Sequence, residues 1–393
     1  MGGGSSRIRP RPGDGFKMLS RRAILRLGAA LPASVSGAGE PGFISLFDGV
    51  SLAGWSVREG PQSAFHTRDG AIVVHRSANF PAWLRSDKQY ENFDFRGEFF
   101  LQGWMDSGIY LHAPLHGRNS WTGFEIKLFH QQEEKPTPYS CGAVFPLIAP
   151  RLVKVNNKGE WNSFRILFDW PRLSVWMNGE LAQDLDVESH PELRRRLRRG
   201  YLGFQSLSYP IRFRNLRIRE LPGKEKWEPL FVSAGDIANW VVTEGKPRHE
   251  AIGDVLRIEG LGNIGTREVF RDFELNTYVR SSRWHNGGVL FRGVGEGRTR
   301  QRYEIQLHNV EGAHFPTGSL YHYKRAIYPR IEDEKWWLMQ LVVAGRSVLV
   351  RINGETVLEY DSLENIEAGP VELQAHAEGT WTEFKDMRVK RLR

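Results

Sequence analysis

Two short stretches carry the side chains best suited to chemistry. In FEIKLF (124–129), strand alternation puts Phe124, Ile126 and Leu128 on one face and Glu125, Lys127 and Phe129 on the other. In YEIQLH (303–308) it opposes Tyr303, Ile305 and Leu307 to Glu304, Gln306 and His308. A carboxylate can take a proton, and an ammonium or amide two residues away or an imidazole four residues away can hold negative charge or return a proton. DSGIYLHAP (106–114) adds Tyr110 and His112, and NGGVLFRGV (286–294) adds Leu290 and Arg292. The polar set is expected on the face away from the core. In a curved sheet that face is the floor of a ligand groove; in an ordinary one it is simply solvated. Recurrence of glutamate at the same place in both stretches weighs toward the groove.

The elements that would position these residues come in two copies. Gly108 aligns with Gly288 and His112 with Arg292 at an offset of 180, Glu125 with Glu304 at 179, and Trp161 with Trp336 and Asn178-Gly179 with Asn353-Gly354 at 175. The openings LFDGVSLAGWSV (46–57) and LFVSAGDIANWVV (230–242) and the closing segments 200–221 and 369–392 complete a collinear repeat. Its boundary lies in LPGKEKWEP (221–229), giving domains at 39–222 and 227–393. Within each copy the period is two, and FRILFDW with LSVWMNG reads as a hairpin, as MQLVVAG with SVLVRING does. PELRRRLRR (191–199) alone reads as helical, a connector with a solvated arginine face. Domains of this size built from short strands imply an all-β chain of two tandem jelly-roll β-sandwiches.

Trp104, Trp121, Trp284 and Trp381 fall near turns or strand ends, where an indole face can stack on a ligand, whereas Trp55, Trp161, Trp240 and Trp336 recur in both copies and read as core. The 12 histidines show no tight ligand spacing. His285 and His308 are the pair that could approach Arg292. No metal site is read from the sequence, although a divalent cation in place of Lys or Arg stays open. Cys141 is the only cysteine, so no internal disulfide forms, and it reads as a buried small hydrophobe.

The chain has 393 residues, with 40% hydrophobic and 25% charged. No apolar run is long enough for a membrane span, so stable membrane insertion is not expected. SRRAILR (20–26), a modest apolar stretch and the small residues Ser36, Gly37 and Ala38 have the order of a twin-arginine export leader, with residues 1–38 as leader and disordered extension. Met18 is an alternative start. The expected location is periplasmic or extracellular. Seven of the 54 Lys/Arg and one of the 46 Asp/Glu lie in this leader, so cleavage lowers the formal charge from +8 to +2. Nothing then argues for a nucleic-acid partner.

Taken together, LFDGVSLAGW, DSGIYLH, GFEIKLF, EWNSFRI, the Asn-Gly hairpin and IRFRNLRIREL resemble the 3-keto-disaccharide hydrolase domain family. The resemblance implies a concanavalin A-like jelly roll and cleavage of glycosides already oxidised at carbon 3, hence a sugar 3-dehydrogenase acting upstream. A ketone at carbon 3 acidifies the hydrogen on carbon 2; a base removes it, the oxygen on carbon 1 leaves, and hydration of the enone completes hydrolysis. Under this reading Glu125, Lys127 and His112, or Glu304, Gln306 and Arg292, are the catalytic candidates, with Tyr110, Trp104, Trp121, His308 and Trp284 binding substrate. The first copy departs from the family pattern at His112, where arginine is usual, and the second lacks the DGxxLxGW opening. A non-catalytic, lectin-like binder and an exported scaffold are the alternatives.

Overall fold

The computed structural model describes residues 40–76, 82–295 and 301–392; the segment read from the sequence as an export leader, 1–38, lies outside them. Strands dominate, and no described helix is long and apolar enough to cross a membrane. Each copy folds around its own core. The first gathers Phe93, Phe95, Phe124, Ile126, Phe168 and Phe204, and the second Phe273, Val289, Phe291, Ile305, Leu341 and Phe384.

In the first copy, a five-stranded antiparallel sheet runs in the order Trp55–Arg58, Ala82–Tyr90, Gly200–Ser206, Asp106–Ala113, Phe124–Phe129. It stacks on an eight-stranded sheet that includes Asn92–Phe100, Trp161–Asp169 and Arg212–Leu221. The second copy repeats this jelly-roll arrangement with longer strands. Val255–Phe270 and Gly369–Arg391 run without interruption through both layers, so the pairings form one 11-stranded sheet. The hairpins close in the expected register, Asp169 opposite Arg172 and Ala344 opposite Ser347. Asn178 and Asn353 make the same link in both copies, their side-chain oxygens accepting from Ser163 N at 2.8 Å and Leu338 N at 3.0 Å.

Trp55 and Trp240 are core residues, and each indole donates to a backbone carbonyl of the opening segment of its own copy, Leu46 O at 2.6 Å and Leu230 O at 3.1 Å. Trp161 and Trp336 are not core. Trp161 lies on the outer side of the eight-stranded sheet, with the Arg214 guanidinium 3.8 Å above its ring, and Trp336 lies between the two sandwiches, stacked on His116 at 6.2 Å. The segment 191–199 is likewise not a solvated helix. Only Leu193–Arg195 forms a short 3-10 turn, Arg196 is buried and donates to Gly123 O at 2.9 Å, and Arg198 pairs with Glu225 and Glu188. Backbone carbonyls and carboxylates facing this segment recruit its charge inward.

The sandwiches meet through this segment and through 115–122. Leu197, Tyr278 and Leu338 form a small apolar cluster with Leu115 and Trp336 around them, and Leu115 N donates to the Tyr278 hydroxyl at 2.7 Å.

Candidate functional site

Alternation along Phe124–Phe129 is as expected, with Phe124, Ile126 and Leu128 in the core. The opposite face is buried as well, not solvated: Glu125 is fully buried and Lys127 nearly so. Glu125 lies across Gly108 of the neighbouring strand. A Cβ on Gly108 would come within 2.6 Å of Glu125 Cγ and 2.7 Å of Cδ, so glycine is required there for the carboxylate to lie flat. Tyr110 is directly opposite Glu125, and Gly108 opposite Lys127.

The strands beyond extend this floor. Gly203 and Gln205 sit opposite Arg85 and Trp83, and Gly203 also faces Tyr110. Trp83 meets Tyr110 edge-on at 5.8 Å, and Arg85 lies 4.3 Å over Tyr201. The face therefore joins aromatic rings to a carboxylate, an ammonium and a guanidinium. Many of its polar atoms are buried and unmet. Neither oxygen of Glu125 has a donor at hydrogen-bonding geometry, and Trp83 Nε1, Arg85 Nε, Asn119 Oδ1 and Gln205 Oε1 are also without partners. Leaving buried polar atoms unpaired costs about 1–3 kcal/mol each, so such a concentration on one face points to a polar ligand or ordered water.

Burial pushes the Glu125 carboxyl up to about 7, and Asp106 adds to the rise; Lys127, Ser120 and Arg196 oppose it. The Lys127 ammonium pairs with Asp106 and lies 4.7 Å from the Phe145 ring. Among the described residues, no group of three or more His, Cys, Asp or Glu is placed to hold a metal ion.

His112 and Arg292 do not join their glutamates. Both lie on the core side at equivalent positions with positive φ, 49° and 53°. His112 is packed on Phe168 at 4.6 Å, and its ring nitrogens meet Leu197 O at 3.0 Å and Glu91 O at 2.7 Å. Burial lowers its pKa to about 4. Arg292 donates to Arg271 O, Gly345 O and Asn365 O and pairs with Asp272 at 2.9 Å. Each binds backbone carbonyls across its own core, so the divergence between the copies is a change of internal brace. His285 and His308 lie together, with His308 Nδ1 2.8 Å from His285 O, and away from these Arg292 partners.

The second copy keeps the glutamate and its glycine, for a Cβ on Gly288 would lie 2.5 Å from Glu304 Cγ. Burial raises Glu304 to about 7 as well, opposed by Arg302. Its surroundings differ. The register puts Leu290 where the first copy has Tyr110, Gln306 where it has Lys127, Asn263 where it has Trp83, Gly265 where it has Arg85, and Glu372 where it has Gly203. Gln306 is held by Asn286 at 2.6 Å, and Glu372 accepts from Thr243 at 2.5 Å.

Of the tryptophans, Trp104 is 59% exposed and ringed by Phe129, His130 and Tyr209, at the end of the floor beyond Asp106. Trp284, its counterpart four residues before Gly288, is 70% exposed. Trp121 is not on the floor; it lies at the seam between the sandwiches, beneath Arg118 at 4.4 Å. Trp381 is part of a ladder with Arg257 and Arg280. Trp83, Arg85, Asn119 and Gln205 escaped the sequence reading. The alternation of Trp83 and Arg85 in AWLRSDKQY was the available signal for the first two. Cys141 is buried, its thiol pushed up to about 12 by burial.

Among solved structures, a "putative glycosyl hydrolase" of Parabacteroides distasonis is 22% identical, covering 46% of this chain and 95% of its own at a TM-score of 0.42. A second "putative glycosyl hydrolase" of that organism is 21% identical over 46% and 99%, at 0.40. The carbohydrate binding module CBM66 of Bacillus subtilis is 10% identical over 42% and 94%, at 0.31. No curated protein matches the chain. The sequence profile of the 3-keto-alpha-glucoside-1,2-lyase-like domain matches residues 42–219 and again 226–390, and the chain belongs to that family, with two copies of its domain.

Proposed function

We propose that the first sandwich cleaves 3-keto-glycosides and that Glu125 is its general base. The observation that carries this reading is the Glu125 carboxyl: fully buried, with no donor at full hydrogen-bonding geometry on either oxygen and only Ser120 nearby to oppose the rise by hydrogen bonding, raised to about 7, and set on an aromatic floor beside Lys127. A base with a pKa near ambient pH has both the right form and the driving force for proton transfer. Ionised Glu125 takes the proton from carbon 2, and the electrons move onto the carbon 3 carbonyl as an enolate. Lys127 and the buried donors of Trp83 and Arg85 are the groups able to hold that charge. The enolate then re-forms the ketone, the bond from carbon 1 to the glycosidic oxygen breaks, and the aglycone leaves with the proton that Glu125 took from carbon 2, which returns Glu125 to its ionised form. Water adds across the resulting enone, hydroxide to carbon 1 and a proton to carbon 2, giving the free 3-keto sugar. Trp104 with Tyr209 provides an exposed aromatic face for the leaving group.

The substrate class requires a sugar 3-dehydrogenase upstream, and the twin-arginine-like leader would place the reaction outside the cytoplasm. The assay is release of aglycone from a 3-keto-glucoside, with the unoxidised glucoside as control. Turnover of the keto substrate alone, abolished in Glu125→Gln, is the expected result. Binding of either sugar without turnover would instead make the protein a lectin-like binder.

A further inference from the structure

The same Asn-Gly hairpin turn has opposite surroundings in the two copies. At Gly179 (φ 82°), a Cβ would meet nothing within 4 Å. At Gly354 (φ 85°), it would lie 2.6 Å from Trp121 O and 2.9 Å from Thr122 N, because this turn rests against the backbone of the first sandwich. The peptide it touches belongs to Asn119–Thr122, the short helical turn that brings Ser120 to Glu125 and Asn119 to the neighbouring Tyr110.

Further contacts converge on the same place. A Cβ on Gly117 would lie 2.9 Å from the Asn353 side-chain oxygen. Arg118 pairs with Glu355, and Leu115 N donates to Tyr278. Arg351 donates to Gly354 O and to Arg195 O, and Gln340 donates to Arg195 O at 3.2 Å. The next residue, Arg196, ties to Gly123 and contributes to the charge environment of Glu125. Two segments that border Glu125, 115–122 and 195–196, are thus each anchored to the second sandwich.

We propose that the second sandwich is a positioning domain for the first: its Asn353-Gly354 turn, Arg351 and Tyr278 hold Asn119–Thr122 and Arg196 in place around Glu125. The inference rests on the reading of Glu125 as the reacting group. It gives the duplicated domain a role that needs no chemistry of its own. Positioning groups act by fixing geometry and excluding water, and small displacements of a reacting group lower rates steeply.

The test compares Gly354→Ala with Gly179→Ala in the full chain. Both impose the same backbone strain at positive φ, but only the first drives a methyl group into the neighbouring sandwich. The Glu125 titration is read by carboxyl NMR of protein labelled with carbon-13 glutamate, assigned with Glu125→Gln, and turnover of a 3-keto-glucoside is followed alongside. Displacing Asn119–Thr122 admits water, so Gly354→Ala is expected to lower the Glu125 pKa by about one unit and kcat by about tenfold. Gly179→Ala leaves both unchanged. Tyr278→Phe, which removes only the hydroxyl that accepts from Leu115, gives a smaller shift in the same direction and decides the matter if Gly354→Ala does not fold. A Glu125 titration unchanged in Tyr278→Phe and no more altered in Gly354→Ala than in Gly179→Ala would overturn the proposal. If the titration moves but even the unmodified protein turns over no keto substrate, positioning stands and the assigned reaction fails.

Discussion

The two sandwiches lay the same glutamate across the same glycine and surround it with different chemistry. Around Glu125 the floor has Tyr110, Trp83, Arg85 and Lys127; around Glu304 the matching positions hold Leu290, Asn263, Gly265 and Gln306, with Glu372 added where the first copy has Gly203. Burial is the main cause that takes both carboxyls to about 7, with Asp106 adding to it at Glu125. A raised pKa therefore does not by itself single out the copy proposed to react. What distinguishes them is the set of partners that would stabilise a substrate's developing charge, which is present in one copy and replaced by amides and acid in the other.

The sharpest way to break this comparison is to remove each carboxylate in turn. General-base catalysis contributes about 10²–10⁴ in rate, so Glu125→Gln should lower kcat for a 3-keto-glucoside by about a thousandfold. Glu304→Gln should leave kcat within about twofold of the unmodified protein, since no step is assigned to it. Equal losses in steady-state assays would make the two copies functionally equivalent. The pH profile sharpens the same point. The base must be ionised, so kcat/KM should rise through about pH 7, and this limb should be missing from whatever activity remains in Glu125→Gln.

The internal braces provide the next test. Removing one partner of a buried charge pair costs about 3–5 kcal/mol, and Arg292 serves three carbonyls and Asp272 from a fully buried position. Arg292→His should therefore destabilise the protein by about 3 kcal/mol in urea unfolding. His112→Arg should cost less, about 1–3 kcal/mol, from overpacking against Phe168 and Phe124. The histidine also sets a pH dependence. Its folded pKa, about 4, lies below the ordinary imidazole value, so its contribution to stability is fully present above about pH 6.5 and is lost as pH falls toward 4.

How much of this was legible in the sequence follows from periodicity. Alternation and the collinear repeat are backbone properties, so the sandwiches, the hairpins and the shared face of Glu125 and Lys127 could be read directly. Whether that face was wet or buried could not, because its cover comes from 115–122, from the segment bearing Phe145 and from distant strands. His112 and Arg292 were misread for a related reason. A positive φ at each breaks the alternation and turns the side chain to the core. Arg196 and Trp336 were misplaced because their partners belong to the junction of two sandwiches, which no single repeat encodes.

Burial of Glu125 should itself carry a stability cost. Its folded pKa lies above the ordinary carboxyl value, so its contribution is fully present below about pH 4.5 and is lost as pH rises through 7. Glu125→Gln should accordingly stabilise the chain by about 1–3 kcal/mol at pH 8.5 and have little effect at pH 4.5, seen as a pH-dependent rise in Tm. A variant that loses turnover while gaining stability is what a desolvated reacting group predicts, and what a merely structural carboxylate would not show.

The smallest expected effect concerns the exposed indoles. Trp104 and Trp284 are counterparts, both largely exposed, but only Trp104 is ringed by Phe129, His130 and Tyr209 at the end of the floor that bears Glu125. An aromatic contact of this kind contributes about 1 kcal/mol, so Trp104→Ala should raise KM about fivefold while changing kcat little. Trp284→Ala should change neither, because the floor beside it has Leu290 and Gln306 in place of Tyr110 and Lys127. A matching KM increase in Trp284→Ala would show that the second copy still receives substrate, and would reduce the difference between the sandwiches to the acid–base step alone.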